Sequence, residues 1–341
     1  MSERPDPGSD PGPDPGAARL VDALRAAVGA SELRAVLLFG SRLVQASPDR
    51  YSAYDLVVVC EDYRAFYQGL GRVGATRRPP ALVAALNRVL APNVIALAPN
   101  GWESGPVAKI MVIEPDAFDR ALGPRAPDHF LKGRLVQQVA LLHARDDASA
   151  AWVEERLDGA RADVPRWVGP SLESPFTAEP AARRMLELSY AGEIRPEAGD
   201  RVCQVFDAQR TFLVGMLERI LDDAVARKRL IRIDGAEPTY RFPRPPGALD
   251  RLPVRLYFLR SKARATARWL KHVVTFDNWL DYLARKVQRR TGMRVEISRW
   301  ERRLPLLLLW PKALRVLRQR PATLGASRGA QTGSGTRGER P

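Results

Sequence analysis

Apolar positions in the first 150 residues switch repeatedly between two periods. "AARLVDALRAAVG" places its apolar residues at helical spacing and ends on glycine, which predicts a first helix. "LRAVLLFG" and "AYDLVVVC" are short continuous apolar runs, predicting two buried strands that run antiparallel or nearly so. "EDYRAFYQGL" and "PPALVAALNRVL" return to helical spacing. "NVIALAPNG" and "VAKIMVIEP" read as a strand pair around a turn at "PNGWESG". "PDAFDRAL" and "DHFLKGRLVQQVALLHA" read as helix again. From Ala148 to Leu230 the pattern is helical throughout, and "LIRIDGAEPTYRF" then reads as a hairpin. Two further helices are expected at "LRSKARATARWLKHVV" and "FDNWLDYLARKVQRRTG".

This order predicts an α/β (mixed α+β) protein. A domain with a mixed sheet is expected over 18–147, and a mostly helical, winged-helix-like domain over 148–250. A basic amphipathic region follows at 251–320. The Pro/Gly/Asp-rich leader 1–17 and the Gly/Ser/Arg-rich tail 321–341 are expected to be disordered. The leader lacks the apolar core of a secretory signal, and Cys60 within "LVVVC" reads as a small buried thiol. Both features predict a reducing, cytoplasmic setting, and no apolar run reaches the ~20 residues a membrane span needs.

Charge changes this picture only at one end. The net charge is +15, yet residues 251–341 hold 22 Lys/Arg against 5 Asp/Glu, so the first 250 residues are close to neutral. In "RRLPLLLLWPKALRVLRQR" the block Leu306–Trp310 sits between cationic clusters. That arrangement suits a segment lying on an anionic membrane surface, and predicts a protein peripheral to the membrane. Nucleic acid is the less favoured partner, because the apolar residues form one block instead of interleaving with the charges.

The chemistry is concentrated in "LLFGSRLVQASPDRYSAYDLVVVC". A Gly-Ser turn at a strand end, here Gly40 and Ser41, offers backbone N–H groups and a hydroxyl to a phosphate. A carboxylate on the next strand, Asp55, is placed to hold Mg²⁺ against that phosphate. The spacing resembles that of the polymerase-β-like nucleotidyltransferase superfamily: Gly-Ser, roughly ten residues, then an acidic pair. Here Asp55 takes the second acidic place and Ala53 stands in the first. Later segments resemble one branch of that superfamily, the mitochondrial translocator assembly and maintenance-type phosphatidate cytidylyltransferases (CDP-diacylglycerol synthases). The resemblance runs from "FGSRLVQASP" through "YDLVVV", "AKIMVIEPDAF" and "FLKGRLVQQVALL" to "ELSYAGEIRPE", about residues 36–200.

That resemblance implies transfer of CMP from CTP to phosphatidic acid, with Mg²⁺ as cofactor. It implies Gly40, Ser41, Tyr190, Glu193 and Arg195 for the nucleotide, Asp55 for the metal, and Lys109 and Arg134 for phosphate or lipid. Ser41, Asp55 and Lys109 carry the catalytic expectation. Other acceptors on the same scaffold, or a non-catalytic membrane- or nucleic-acid-binding protein with a decayed site, are the alternatives. Several residues admit a structural role as well. Lys109 could be an edge-strand lysine, Arg134 could pair with a carboxylate, and the glycine in "SYAGEIR" could be a helix cap. Glu114, at the end of a strand, reads as a helix-entry residue or a further metal ligand. His129, His143 and His272 show no metal-ligand spacing.

Overall fold

The computed structural model describes residues 14–45, 52–101, 105–191, 198–233, 235 and 237–275. Its centre is a five-stranded mixed sheet in the order β3-β4-β2-β1-β5. The strands are β1 (Leu33–Phe39), β2 (Tyr54–Cys60), β3 (Asn93–Leu97), β4 (Ala108–Ile113) and β5 (Val139–Ala144). β1 pairs antiparallel with β2 and β5, β3 pairs antiparallel with β4, and β2 and β4 are parallel.

The continuous apolar runs follow from burial on both faces. Even-numbered residues such as Val36, Leu38, Leu56, Val58, Ile110 and Val112 pack beneath three helices. These are α1 (Pro15–Val28), α3 (Tyr63–Arg72) and α4 (Pro80–Val89), which contribute Leu20, Leu24, Phe66, Leu70 and Val83. Odd-numbered residues such as Leu37, Val57, Val59, Met111 and Ile113 face the opposite layer. That layer holds α5 (Pro115–Leu122), α7 (Asp147–Ala162), α8 (Val164–Val168), α9 (Ala178–Ala191) and α10 (Ala198–Ala226). Each fully buried aliphatic side chain here contributes about 1.5–3 kcal/mol. Two short helices, α2 (Ser41–Val44) and α6 (Lys132–Leu135), sit at the ends of strands. β6 (Ile231–Ile233) and β7 (Thr239–Arg241) form the expected hairpin, and a bridge between Tyr240 and Phe176 ties it to the chain before α9. The last described element is α11 (Ala248–Thr275).

One element differs from the reading of the sequence. "DHFLKGRLVQQVALLHA" forms a single turn, α6, and then β5 as an edge strand on β1. A short apolar run fits a helix or a strand by composition alone, and the open edge of β1 decides it. Residues 276–341, with the Leu-Trp block and the tail, lie outside the described residues. Among the described residues no helix is long and apolar enough to cross a membrane. Cys60 is buried, as its place in β2 predicts.

Candidate functional site

Strand direction and side-chain parity bring the key residues together. In the parallel β2–β4 pair Asp55 stands directly beside Lys109, one residue into each strand. Both share parity with the residues that face α9 and α10, so both project into that layer at the end of the sheet. The Lys109 Nζ lies 3.9 Å from Asp55 Oδ1, and each side chain keeps 30% of its surface exposed. β1 runs the other way, so its last residue, Phe39, pairs with Asp55 and delivers Gly40 and Ser41 to the same spot.

Gly40 is required there for two reasons. Its φ is +82°, a left-handed value that a side chain strains against, and a Cβ would stand 3.0 Å from Asp55 Oδ2. The turn is then fastened to the chain entering β2. Ser41 Oγ lies 3.3 Å from Ser52 Oγ, Arg42 Nε donates to the Ser52 carbonyl at 2.9 Å, and the Arg42 guanidinium sits over the Tyr54 ring.

The facing wall comes from α6, α9 and α10. Gly133, Arg134, Gln137, Gln138, Ser189, Tyr190 and Gln209 close the cleft opposite Gly40, Ser41, Asp55 and Lys109. Gly133 permits close approach, because a Cβ would meet His129 Cδ2 at 2.8 Å and Ser189 Cβ at 3.1 Å. The Arg134 guanidinium sits over the Phe130 ring, 4.0 Å from its centre, and donates to the Phe130 carbonyl. Gln209, almost fully buried, accepts from the Gln138 N–H at 2.9 Å and donates to Gln137 Oε1 at 3.3 Å, which ties α10 to the end of α6. The enclosed space is about 90 Å³. That suits a phosphate group and falls well short of the ~300 Å³ of sites that enclose a whole small ligand.

Gly40, Ser41, Asp55, Lys109, Arg134 and Tyr190, all named from the sequence, therefore line one cleft. Glu193 and Arg195 lie outside the described residues. Glu114 is elsewhere: it follows the far end of β4, caps α5, and accepts from the Tyr63 N–H and from Arg88. Sequence reasoning did not single out Gly133, Ser189 or the three glutamines. The pair Gln137–Gln138, interrupting an apolar run, was the available signal.

The electrostatics favour an anion. Asp55 is the one acid among the residues lining the cleft, against Lys109 and Arg134. Behind them the C-terminal half of α11 adds the buried guanidinium of Arg268, and burial together with the positive surroundings keeps Lys271 and His272 from charging fully. Burial, and then the neighbouring Arg268 and Arg264, pull Lys271 down to about 7. Burial also holds His272 near 3, with Lys271, Arg268, Lys109 and Arg134 all acting in the same direction. Among the described residues no three His, Cys, Asp or Glu side chains gather into a metal site. His129 is a packing residue, with Nε2 3.1 Å from Ser189 Oγ and Nδ1 3.2 Å from the Tyr257 hydroxyl. The chain matches no protein-family model and no curated protein, so the motifs quoted above and this geometry are what speak for its function.

Proposed function

We propose that the protein is a nucleotidyltransferase of the phosphatidate cytidylyltransferase type, moving CMP from CTP to phosphatidic acid with release of pyrophosphate. The observation that carries the reading is convergence. Six residues from five separate motifs, spread from Gly40 to Tyr190, line one phosphate-sized cleft. In this reading residues 18–147 are the nucleotidyltransferase domain, and the helices with their hairpin are the winged-helix-like partner. The cleft then takes phosphates, with the base and the acyl chains outside it, which its small enclosed volume supports.

The residues then divide the work. The Gly40–Ser41 turn and Lys109 hold the triphosphate, and Arg134 meets a second phosphate across the cleft. The attacking atom is an oxygen of the lipid phosphate. It forms a bond to the α-phosphorus as the bond to the β-phosphate oxygen breaks, and pyrophosphate leaves. That oxygen is already ionised at neutral pH, so the absence of a histidine among the residues lining the cleft is no obstacle. Alignment and charge neutralisation supply the acceleration. One carboxylate beside a hydroxyl is a donor set that fits a magnesium ion arriving on a triphosphate, since Mg²⁺ commonly takes one or two carboxylates plus substrate phosphates. When bound, that ion at Asp55 would neutralise the phosphate oxygens.

The test is pyrophosphate release across the four nucleoside triphosphates, with and without phosphatidic acid vesicles. Release with CTP that depends on phosphatidic acid is expected. No release with any nucleotide under either condition overturns the reading. A second reading has one observation in its favour: the Lys109 ammonium already faces Asp55 at 3.9 Å, and Ala53 leaves that carboxylate without a second acid. It makes the protein a non-catalytic phosphate binder, for which CTP affinity would not rise with Mg²⁺. Association with an anionic membrane surface through 276–341, in the cytoplasm, belongs to the proposal as well.

A further inference from the structure

A second cavity, larger than the cleft, lies where the start of α11 crosses α8 and the loop after α5. It encloses about 710 Å³. A volume of this size is typical of sites that take up a whole small ligand. Its wall is mainly apolar: Trp167, Pro170, Pro253, Val254 and Tyr257. Three guanidinium groups stand among them, on Arg125, Arg166 and Arg260.

The charges do not cancel within the wall. Of the two acids lining the cavity, Asp163 is engaged by the buried Lys132 at 2.8 Å and by Arg166 at 2.7 Å. Asp250 accepts from the Gly247 N–H, which closes the first turn of α11. Arg260 donates one bond to the Ala126 carbonyl. Arg125 is exposed and makes no ion pair among the described residues. The cavity thus joins an apolar volume to a surplus of positive charge at its edge.

Its mouth continues onto an apolar surface. Leu249 lines the cavity and is 81% exposed, and Leu252, Leu256 and Leu259 follow it at helical spacing, each more than half exposed. Three or four residues apart on α11, these leucines form one stripe. Arg251 and Arg255 are interspersed along the same turns. An apolar hollow that opens onto exposed leucines beside arginines has the chemistry of a site for a long-chain anionic amphiphile.

We propose that this cavity binds such a molecule, with a single acyl chain lying along Trp167, Pro253 and Val254. Its anionic head, carboxylate or phosphate, lies against Arg125 and Arg260. The site is separate from the phosphate cleft and does not depend on the reading of that cleft. One side chain stands between the two: His129, whose ring packs on Trp167 at 4.5 Å and touches both Tyr257 and Ser189.

The experiment is equilibrium dialysis of the full chain against radiolabelled palmitate and palmitoyl lysophosphatidate, each below its micelle concentration. Butyrate and inorganic phosphate supply the head without the chain, and hexadecanol supplies the chain without the charge. Saturable binding of one or both long-chain anions is expected, with each control at least tenfold weaker. The tighter of the two anions identifies the head group. Val254→Trp, which places a ring in the path of the acyl chain, should weaken binding at least tenfold. Arg125→Glu and Leu249→Glu, at exposed positions that leave folding intact, should each weaken it roughly tenfold, as loss of a charge-assisted contact or of an apolar one does. Equal binding of hexadecanol, binding of phosphate without a chain, or full binding by both exposed-site variants would overturn the proposal.

Discussion

Asp55→Asn separates the fold from the chemistry more cleanly than any other single change. The side chain keeps its volume and loses its charge. Its partner in the described structure is Lys109, at 3.9 Å. Two unit charges at that distance interact by about 1 kcal/mol in water and about 4 kcal/mol at an effective dielectric of 20. Both side chains are 30% exposed, and desolvation and side-chain ordering oppose the attraction, so the net value falls to about 0.2–1 kcal/mol. For a unit of this size that corresponds to a shift of at most roughly 2–4 °C in the thermal midpoint. Pyrophosphate release should fall much further, by at least ~100-fold, the range seen when a key transition-state electrostatic contact is lost. Thermal melting and a pyrophosphate assay on the same preparation read both numbers. Near-normal turnover in the variant would refute the catalytic role. Loss of activity together with a midpoint lower by well over 4 °C would assign Asp55 to the fold instead.

Gly40→Ala should destabilise by about 1–3 kcal/mol from its left-handed backbone alone, and should also displace Asp55, which its Cβ would meet at 3.0 Å. Gly74→Ala is the control, since φ is +70° there with open space around it. Melting should therefore change in both variants, and activity should fall only in the first. Stability should rise between pH 7 and 9. Unfolded Lys271 keeps its proton to about pH 10.5 but loses it near 7 when buried, so in that window the unfolded chain binds more protons. The slope is at most about 1.4 kcal/mol per pH unit, and Lys271→Met should flatten it in denaturant titrations at several pH values. Deleting residues 299–341 removes the Leu-Trp block and ten basic residues. Sedimentation should then show lost binding to acidic vesicles with CTP binding retained. Equal pelleting of the intact and shortened chains would remove the membrane role of that segment.

The sheet was legible because its strands are buried on both faces and therefore appear as unbroken apolar runs, "AVLLF", "LVVVC" and "IMVI". Asp55 and Lys109 were legible for the converse reason, each being a charge placed where such a run begins. What the sequence could not supply was their adjacency, which depends on the parallel register of β2 and β4. The strand β5 was hidden because "VALLHA" is an edge strand, half-buried along its whole length, without the alternation or the full burial that marks the others. The glutamines were hidden because Gln209 gains its meaning only from Gln137 and Gln138, about 70 residues earlier in the chain.

Positive charge shows where counting misleads. The 22 basic residues after residue 250 suggest one continuous anion-seeking region, yet the first seven belong to α11, and five of those seven bond to acceptors elsewhere in the described fold. Arg264 and Arg268 both reach Asp128 at 2.8 Å, and Arg268 is almost wholly buried. Arg251, Arg260 and Lys271 donate to the carbonyls of Pro170, Ala126 and Leu90. Burial would raise the Asp128 carboxyl, but these two arginines outweigh it and hold the group below its usual range. Removing Asp128 leaves the buried Arg268 uncompensated, which destabilises by about 3–5 kcal/mol, whereas removing Arg268 leaves Asp128 its pair with Arg264 and costs less. Residues 276–341 hold the other fifteen basic residues against five acidic ones, and the case for an anionic surface rests on them. Neutralising cations in the two segments should therefore have opposite signatures. Arg268→Gln should lower the melting midpoint and leave vesicle binding per folded molecule unchanged. Replacing Arg315, Arg318 and Arg320 with glutamine should weaken vesicle binding and leave the midpoint unchanged. If both sets weakened vesicle binding equally at equal stability, the inward role of α11 would be wrong.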